Sequence, residues 1–137
     1  MKRILVFFAI IISTISLLSC SDGIKHDEAK EHINDFFAAI EKGDYELAAT
    51  LLHPERPADL KAFFESLENE NNLDFSKIEI NRYTGFSTVY YDSTVSGSKY
   101  SLSIDTDVNG RDVDFDIEIV KNDNGYGIYN LNIYPKN

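Results

Sequence analysis

Three sets of side chains in this chain have the types and the spacing to do chemistry. Cys20 is the only cysteine among 137 residues. It closes Leu17-Leu18-Ser19-Cys20 after an apolar run, so the one thiol stands at a defined place for covalent modification. Asp105, Asp107, Asn109, Asp112 and Asp114 bring carboxylates and an amide oxygen close together, the kind of oxygen set that a hard cation such as calcium takes. Tyr91 and Tyr100 could donate hydrogen bonds to a ligand carbonyl. Arg82 could place a guanidinium at the mouth of a pocket. His26, His32 and His53 show no ligand-like spacing and read as solvated or capping residues. No glycine-rich phosphate loop, zinc pattern, serine nucleophile motif or dinucleotide fingerprint is present.

The first nineteen residues have the three parts of an export signal. Lys2 and Arg3 are the positive pair, Ile4 to Leu18 the apolar stretch, and Ser19 the small residue at the cleavage side. Ser13, Thr14 and Ser16 interrupt the apolar run, which is shorter than the roughly 20 residues of a spanning helix. Leu17-Leu18-Ser19-Cys20 resembles the lipobox of bacterial lipoproteins. The resemblance implies that a diacylglycerol group alkylates the Cys20 sulfur, and that cleavage before Cys20 frees an amine for a further acyl chain such as palmitate. Two chains anchor stably, whereas one binds a bilayer only marginally, at about 0.8 kcal/mol per buried methylene. Residues 1–19 are then a signal peptide, 20–26 a lipidated polar tether, and 27–137 a single domain. The expected location is the bacterial cell envelope, with the membrane as partner through the lipid. Ser21 in place of an aspartate points to the outer membrane.

Removing residues 1–19 takes Lys2 and Arg3 from the 13 basic residues and none of the 23 acids, so the net charge moves from −10 to −12. Such a chain is repelled by nucleic acid, which excludes DNA and RNA as expected partners. With Cys20 committed to lipid no internal disulfide is possible, so an apolar core must hold the fold. Nine Phe and eight Tyr, without Trp, are enough to build one.

The elements that must position these residues are helices first and strands afterwards. Ile33, Phe36, Phe37 and Ile40 form one helical stripe, which Gly43 can end. Asp44 can cap a second helix carrying Leu47, Ala48, Leu51 and Leu52 inward, stopped at His53 before Pro54. Pro57 suits the first turn of a third, with Leu60, Phe63, Phe64 and Leu67 on its stripe. The period then changes to two. Ile78 and Ile80 open a strand, and residues 87–95, 98–108, 111–121 and 126–134 read as four more.

Asn109-Gly110 is a strong two-residue hairpin turn and Ser96-Gly97 a weaker one. The first sets Thr106 opposite Val113, Ile104 opposite Phe115, Leu102 opposite Ile117 and Tyr100 opposite Ile119. The second sets Val89 beside Ile104, Tyr91 beside Leu102 and Ser93 beside Tyr100. Both put the same apolar residues on one face. The expected fold is α+β, N-terminal helices packed on a curved antiparallel sheet of about five strands.

That order, with Gly43-Asp44-Tyr45 and Ala48-Ala49, resembles the cystatin-like superfamily of nuclear transport factor 2-like domains, in particular small domains of unknown function in bacterial lipoproteins. The resemblance implies a sheet wrapping the helices into a cone, often with a pocket. Enzymes of the superfamily, such as the polyketide-cyclase-like and ketosteroid-isomerase-like members, use a carboxylate or histidine in that pocket. The apolar face of these central strands offers none, so no catalytic residue is carried over. The first expectation is therefore a non-enzymatic domain that binds a small apolar ligand or another envelope protein. An enzyme drawing its polar residues from helices and loops is the second.

The opposite face sets Asp107 against Asp112 and Asp105 against Asp114, and Ser103 and Ser101 against Asp116 and Glu118. Directly opposed like charges destabilise a sheet by a few tenths to about 1 kcal/mol per pair. A cation, a basic partner or plain solvation would each relieve them. Asp105-Thr106-Asp107-Val108-Asn109-Gly110 resembles the start of an EF-hand loop, which would make calcium-dependent binding a third reading. The pattern then departs from the family at Asp112 and Asp116, and strands replace the flanking helices. A coiled calcium loop and the two-residue hairpin exclude each other, and the strand register favours the hairpin.

Overall fold

The computed structural model describes residues 23–136. Three helices, α1 (His26–Glu41), α2 (Tyr45–Ala49) and α3 (Leu60–Asn71), precede four strands, β1 (Ile78–Asp92), β2 (Gly97–Val108), β3 (Arg111–Asn122) and β4 (Gly125–Pro135). The strands form one antiparallel sheet in the order β1-β2-β3-β4. The helices cover one face of it, giving an α+β fold.

α1 buries Ala29, Ile33, Phe36, Phe37, Ala39 and Ile40, so its spacing of apolar residues does what a helical stripe must. Its end is a full Schellman closure. The Gly43 N–H donates to the Ile40 carbonyl at 3.0 Å and the Asp44 N–H to Ala39 at 2.9 Å, with Gly43 at φ +69°. Asp44 then caps α2, its Oδ1 accepting from the Leu47 N–H. The helix stops at Ala49, short of the expected Leu52, and Leu47 is left 50% exposed. β4 competes for the backbone here. Ile128 N–H donates to Leu51 O at 3.0 Å and His53 N–H to Ile128 O at 2.8 Å, a parallel bridge that a continued helix would forbid. α3 begins after Asp59, whose side chain accepts from the Ala62 N–H, so Pro57 lies in the preceding loop and not in the first turn. Phe64 and Leu60 are buried, while Phe63 is partly exposed.

The β2–β3 hairpin has the expected register, including Thr106 with Val113, Ile104 with Phe115, Leu102 with Ile117 and Tyr100 with Ile119. Asn109 and Gly110 both hold positive φ, +47° and +92°, as a type I′ turn demands. Thr106 is buried, and its hydroxyl donates to the Val113 carbonyl at 2.8 Å, so its one polar atom is satisfied.

β1 differs from expectation in two ways. The segment from Ile78 and the segment ending near residue 92 are one strand, so the sheet has four strands and not five. Irregularities between Ile80 and Arg82 and between Tyr83 and Gly85 let it continue across a break in alternation. The β1–β2 register is also shifted: Tyr83 pairs with Ile104, Phe86 with Leu102 and Thr88 with Tyr100, in place of Val89, Tyr91 and Ser93. The turn is not Ser96-Gly97 alone. Asp92 pairs with Gly97, and its Oδ1 accepts from the Thr94 N–H at 2.8 Å. That Asx-type turn draws Val95 inward to 8% exposure and makes the connection two residues longer.

The core between helices and sheet is filled by rings. Phe37 lies on Phe115 with centroids 4.8 Å apart, and Phe64 meets Phe75 edge-on at 4.9 Å and Phe36 at 6.3 Å. Each fully buried Phe of this kind stabilises by roughly 1.5–3 kcal/mol. Ile24 is 5% exposed and His26 already belongs to α1, so packing begins inside the segment read as a free tether.

Candidate functional site

The segment leading into α1 runs beside the second half of β1. Gly23 to His26 run beside Phe86, Thr88, Tyr90 and Tyr100, leaving an open groove of about 340 Å³. The strand places Phe86 and Thr88 on the face where their partners Leu102 and Tyr100 are buried. His26, the first residue of α1, comes against this part of β1, yet Phe86 remains 69% and Tyr90 79% exposed. Phe86 and Tyr100 stack in parallel at 6.5 Å, and the His26 ring tilts against Phe86 at 5.2 Å.

Tyr100 is the one residue of the expected ligand set that reaches the interior, at 2% exposure. Its hydroxyl is hydrogen-bonded to His26 Nδ1. Burial, and behind it the charge of Asp27, raise this phenol above the ordinary tyrosine value, which keeps it protonated and able to donate to the imidazole. Tyr91 is 69% exposed and does not join it, because the register shift pairs Phe86 with Leu102 instead. Arg82 lies 74% exposed with Nε 3.5 Å from Asp105 Oδ2, on the outer face. The three residues therefore do not converge. Cys20 lies outside the described residues.

The acidic face has the expected opposition of Asp107 to Asp112 and of Asp105 to Asp114. The chain relieves it with its own groups. Arg82 faces Asp105, and Lys136 Nζ reaches Asp114 at 3.1 Å. The hydrogen bond to Asp114, ahead of the charges of Asp114, Asp105 and Asp112, holds the Lys136 ammonium above the ordinary lysine value. Asp107 Oδ1 accepts the Gly110 N–H at 2.7 Å and so closes the turn. Asn109 donates to Asp74, and Ser103 to Asp116 at 2.8 Å. Glu118 lies between Lys99 and Asn130. In the structure the segment is a hairpin and not a coiled loop: the five oxygen-bearing residues lie along two paired strands and their turn. Among the described residues no three His, Cys, Asp or Glu side chains are grouped to hold a metal ion.

A polar cluster escaped the sequence reading. His53 is 1% exposed, not solvated. Glu55 N–H donates to its Nδ1 at 3.0 Å, which leaves the proton on Nε2 to donate to Asn122 Oδ1 at 3.0 Å. Asn122 Nδ2 donates to Glu55 Oε2 at 2.7 Å and to the Val95 carbonyl at 2.9 Å. Asn124 donates to the other oxygen of Glu55. Hydrogen bonds from Asn122 first and Asn124 second hold the Glu55 carboxyl below its ordinary value. Beside it, Arg56 lies over the Tyr129 ring at 4.3 Å, at the rim of a groove of about 260 Å³ floored by Leu52, Leu60, Phe63 and Leu131. His53 and Asn122 are 69 residues apart, and no local pattern links them. His32 is likewise spent on structure, its Nε2 donating to the Leu51 carbonyl at 2.7 Å.

No described helix is long and apolar enough to cross a membrane. Comparison of the chain with protein-family models, with curated proteins and with solved structures finds no match.

Proposed function

We propose that this chain is a lipid-anchored protein of the bacterial envelope, held through Cys20 in the outer membrane, whose domain works by binding rather than by catalysis. The observation that carries the binding reading is the filled interior. Where a catalytic member of a cone-shaped superfamily keeps a cavity with an acid or histidine, this face is occupied by Phe36, Phe37, Phe64, Phe75 and Phe115, all 3% exposed or less. Of the histidines that sit inside or against the core, His26 and His32 each have one ring nitrogen engaged, by Tyr100 and by the Leu51 carbonyl, and His53 has both engaged, by Asn122 and the Glu55 N–H. The order of three helices and then four antiparallel strands supports a cystatin-like, nuclear transport factor 2-like architecture.

Ligand or partner contact then falls to the surface. The groove between the chain entering α3 and β4 offers an apolar floor with Arg56 and Tyr129 at its rim, which suits a small apolar molecule or a side chain of another envelope protein. The anchoring half is tested in the full chain produced in a bacterium. Intact mass should begin at Cys20 with diacylglyceryl and acyl additions, and Cys20→Ala should move the protein from the membrane to the soluble fraction. An unmodified mass, or a Cys20→Ala protein that stays with the membrane, overturns it.

A further inference from the structure

We propose that the tip of β1 carrying Phe86, Tyr90 and Tyr91 sits in the headgroup region of a phospholipid bilayer, so that the domain is seated on the membrane and does not hang free from its anchor. This rests on the reading of Cys20 as the lipid-bearing residue. Three large aromatics within six residues of an edge strand are exposed by 69%, 79% and 69%. Neighbouring aromatics left in water on one tip mark a contact surface, and a tyrosine with its apolar ring and polar hydroxyl suits the boundary between acyl chain and water.

The anchor identifies the occupant. Gly23 passes directly over the Tyr90 ring, where a Cβ would come 3.0 Å from Cδ1. Two residues, Ser21 and Asp22, separate Gly23 from Cys20, and the three steps reach about 10 Å even when extended. A lipid on Cys20 therefore holds the Tyr90 ring within about that distance of the membrane surface. The tether is not free to swing the tip away, because Ile24 is buried and His26 is bonded to Tyr100.

Charge points the same way. Asp105, Asp107, Asp112 and Asp114 cluster around the Asn109-Gly110 turn, at the other end of β2. From Gly97, beside the Tyr90 end, to Val108 the strand spans roughly 35 Å, and Leu102, the partner of Phe86, lies about 10 Å along it from Asp105. Seating the aromatic tip on the bilayer turns the densest acids away from the lipid phosphates. At the tip itself Asp92 and Glu118 are both bound to Lys99. Lys25 also lines the groove beside Phe86 and Tyr90, but the contact proposed for the rings themselves is apolar and does not depend on salt.

The chain has no Trp, so a single substitution supplies a unique fluorescent reporter. Full-length Tyr90→Trp and Phe86→Trp proteins, purified from membranes, are reconstituted into phosphatidylcholine vesicles containing a brominated acyl chain. Tyr134→Trp, in the strand pair with Asp114 at the acidic end, is the reference. Intact mass on each preparation reports the state of Cys20. The expected result is a lipid-modified mass, a blue-shifted emission and bromine quenching at positions 86 and 90, unchanged at high salt, with none at 134. Lipid-modified protein without quenching at 86 and 90 overturns the seating and leaves the anchor intact. A blue shift without bromine quenching overturns it too, and assigns the tip to a second copy if the protein sediments as a dimer, or to residues before Gly23 if it is a monomer. An unmodified Cys20 with no quenching overturns both.

Discussion

His53 Nε2 donates to Asn122 Oδ1 across 3.0 Å and so ties the chain leaving α2 to the end of β3. The two residues close a circuit with Glu55, Asn124 and the Val95 carbonyl in which every polar atom of the Asn122 side chain is used. Such a network is all or nothing, because a buried group that loses its partner keeps its desolvation cost. Asn122→Ala should lower stability by about 1–3 kcal/mol, the range for orphaning a buried polar group such as His53. Asn122→Asp should be worse, since a second carboxylate would face Glu55. Urea denaturation followed by circular dichroism checks both, and an Asn122→Asp protein as stable as the parent would contradict the network.

A pH dependence follows from Asp92. The Thr94 hydroxyl first and the Lys99 ammonium second hold its carboxyl down at about 2, from an ordinary 3.8. A folded value below the unfolded one contributes stability that is complete above the unfolded value and is lost as pH falls through the folded one. Asp92→Asn keeps an oxygen for Thr94 and removes only the charge. The gap between parent and variant in urea midpoint should be constant from neutral pH to about 4 and close as pH falls to about 2. Lys99, raised mainly by Asp92, gives the mirror image: its share is complete below the ordinary lysine value and is lost as pH rises from there through the raised folded value. A gap that survives at pH below 2 would remove Asp92 as its source.

The contrast between the two hairpins marks what was legible in the sequence. Asn109-Gly110 carries its own geometry, because both residues tolerate positive φ, and the register of β2 and β3 follows residue for residue. Ser96-Gly97 misleads, because the turn is decided by the Asp92 side chain and by the burial of Val95. The helical stripe of α1 and the caps at Asp44 and Asp59 are local chemistry, although only Asp44 is evident before the fold is known. The tether-end groove and the His53 cluster depend on pairs such as His26 with Tyr100 and His53 with Asn122, separated by 74 and 69 residues. No periodicity reports contacts of that kind.

Two glycines test the difference between conformation and space. Gly110 holds φ +92° with nothing near its missing Cβ, so Gly110→Ala should cost about 1 kcal/mol of backbone strain. At Gly127 a Cβ would meet His53 N at 2.5 Å, Leu52 C at 2.6 Å and Leu51 O at 2.8 Å, all backbone atoms. Gly127→Ala must therefore push the Leu52–Ile128 bridge apart, at a cost of about 1–3 kcal/mol. Thermal melts of the two variants should rank Gly127→Ala clearly below Gly110→Ala. The reverse order would mean that the bridge is not held in solution.

The acidic face makes the last prediction. Asp105 faces Asp114, and Arg82 and Lys136 stand against them from β1 and from just beyond β4. If these cations relieve the repulsion, Arg82→Gln with Lys136→Gln should lower the melting midpoint more than either change alone. Because all four side chains meet solvent, added sodium chloride should shrink the deficit by screening. Asp114→Asn in the double variant should restore much of the loss, since it removes the like-charge pair itself. Calcium should stabilise the parent protein no more than sodium at equal ionic strength, because among the described residues no three His, Cys, Asp or Glu side chains are grouped to hold a metal ion. A rise in midpoint specific to calcium and reversed by chelator would show instead that the two strands reorganise around a cation, and would return Asp105, Asp107, Asn109, Asp112 and Asp114 to the role of ligands.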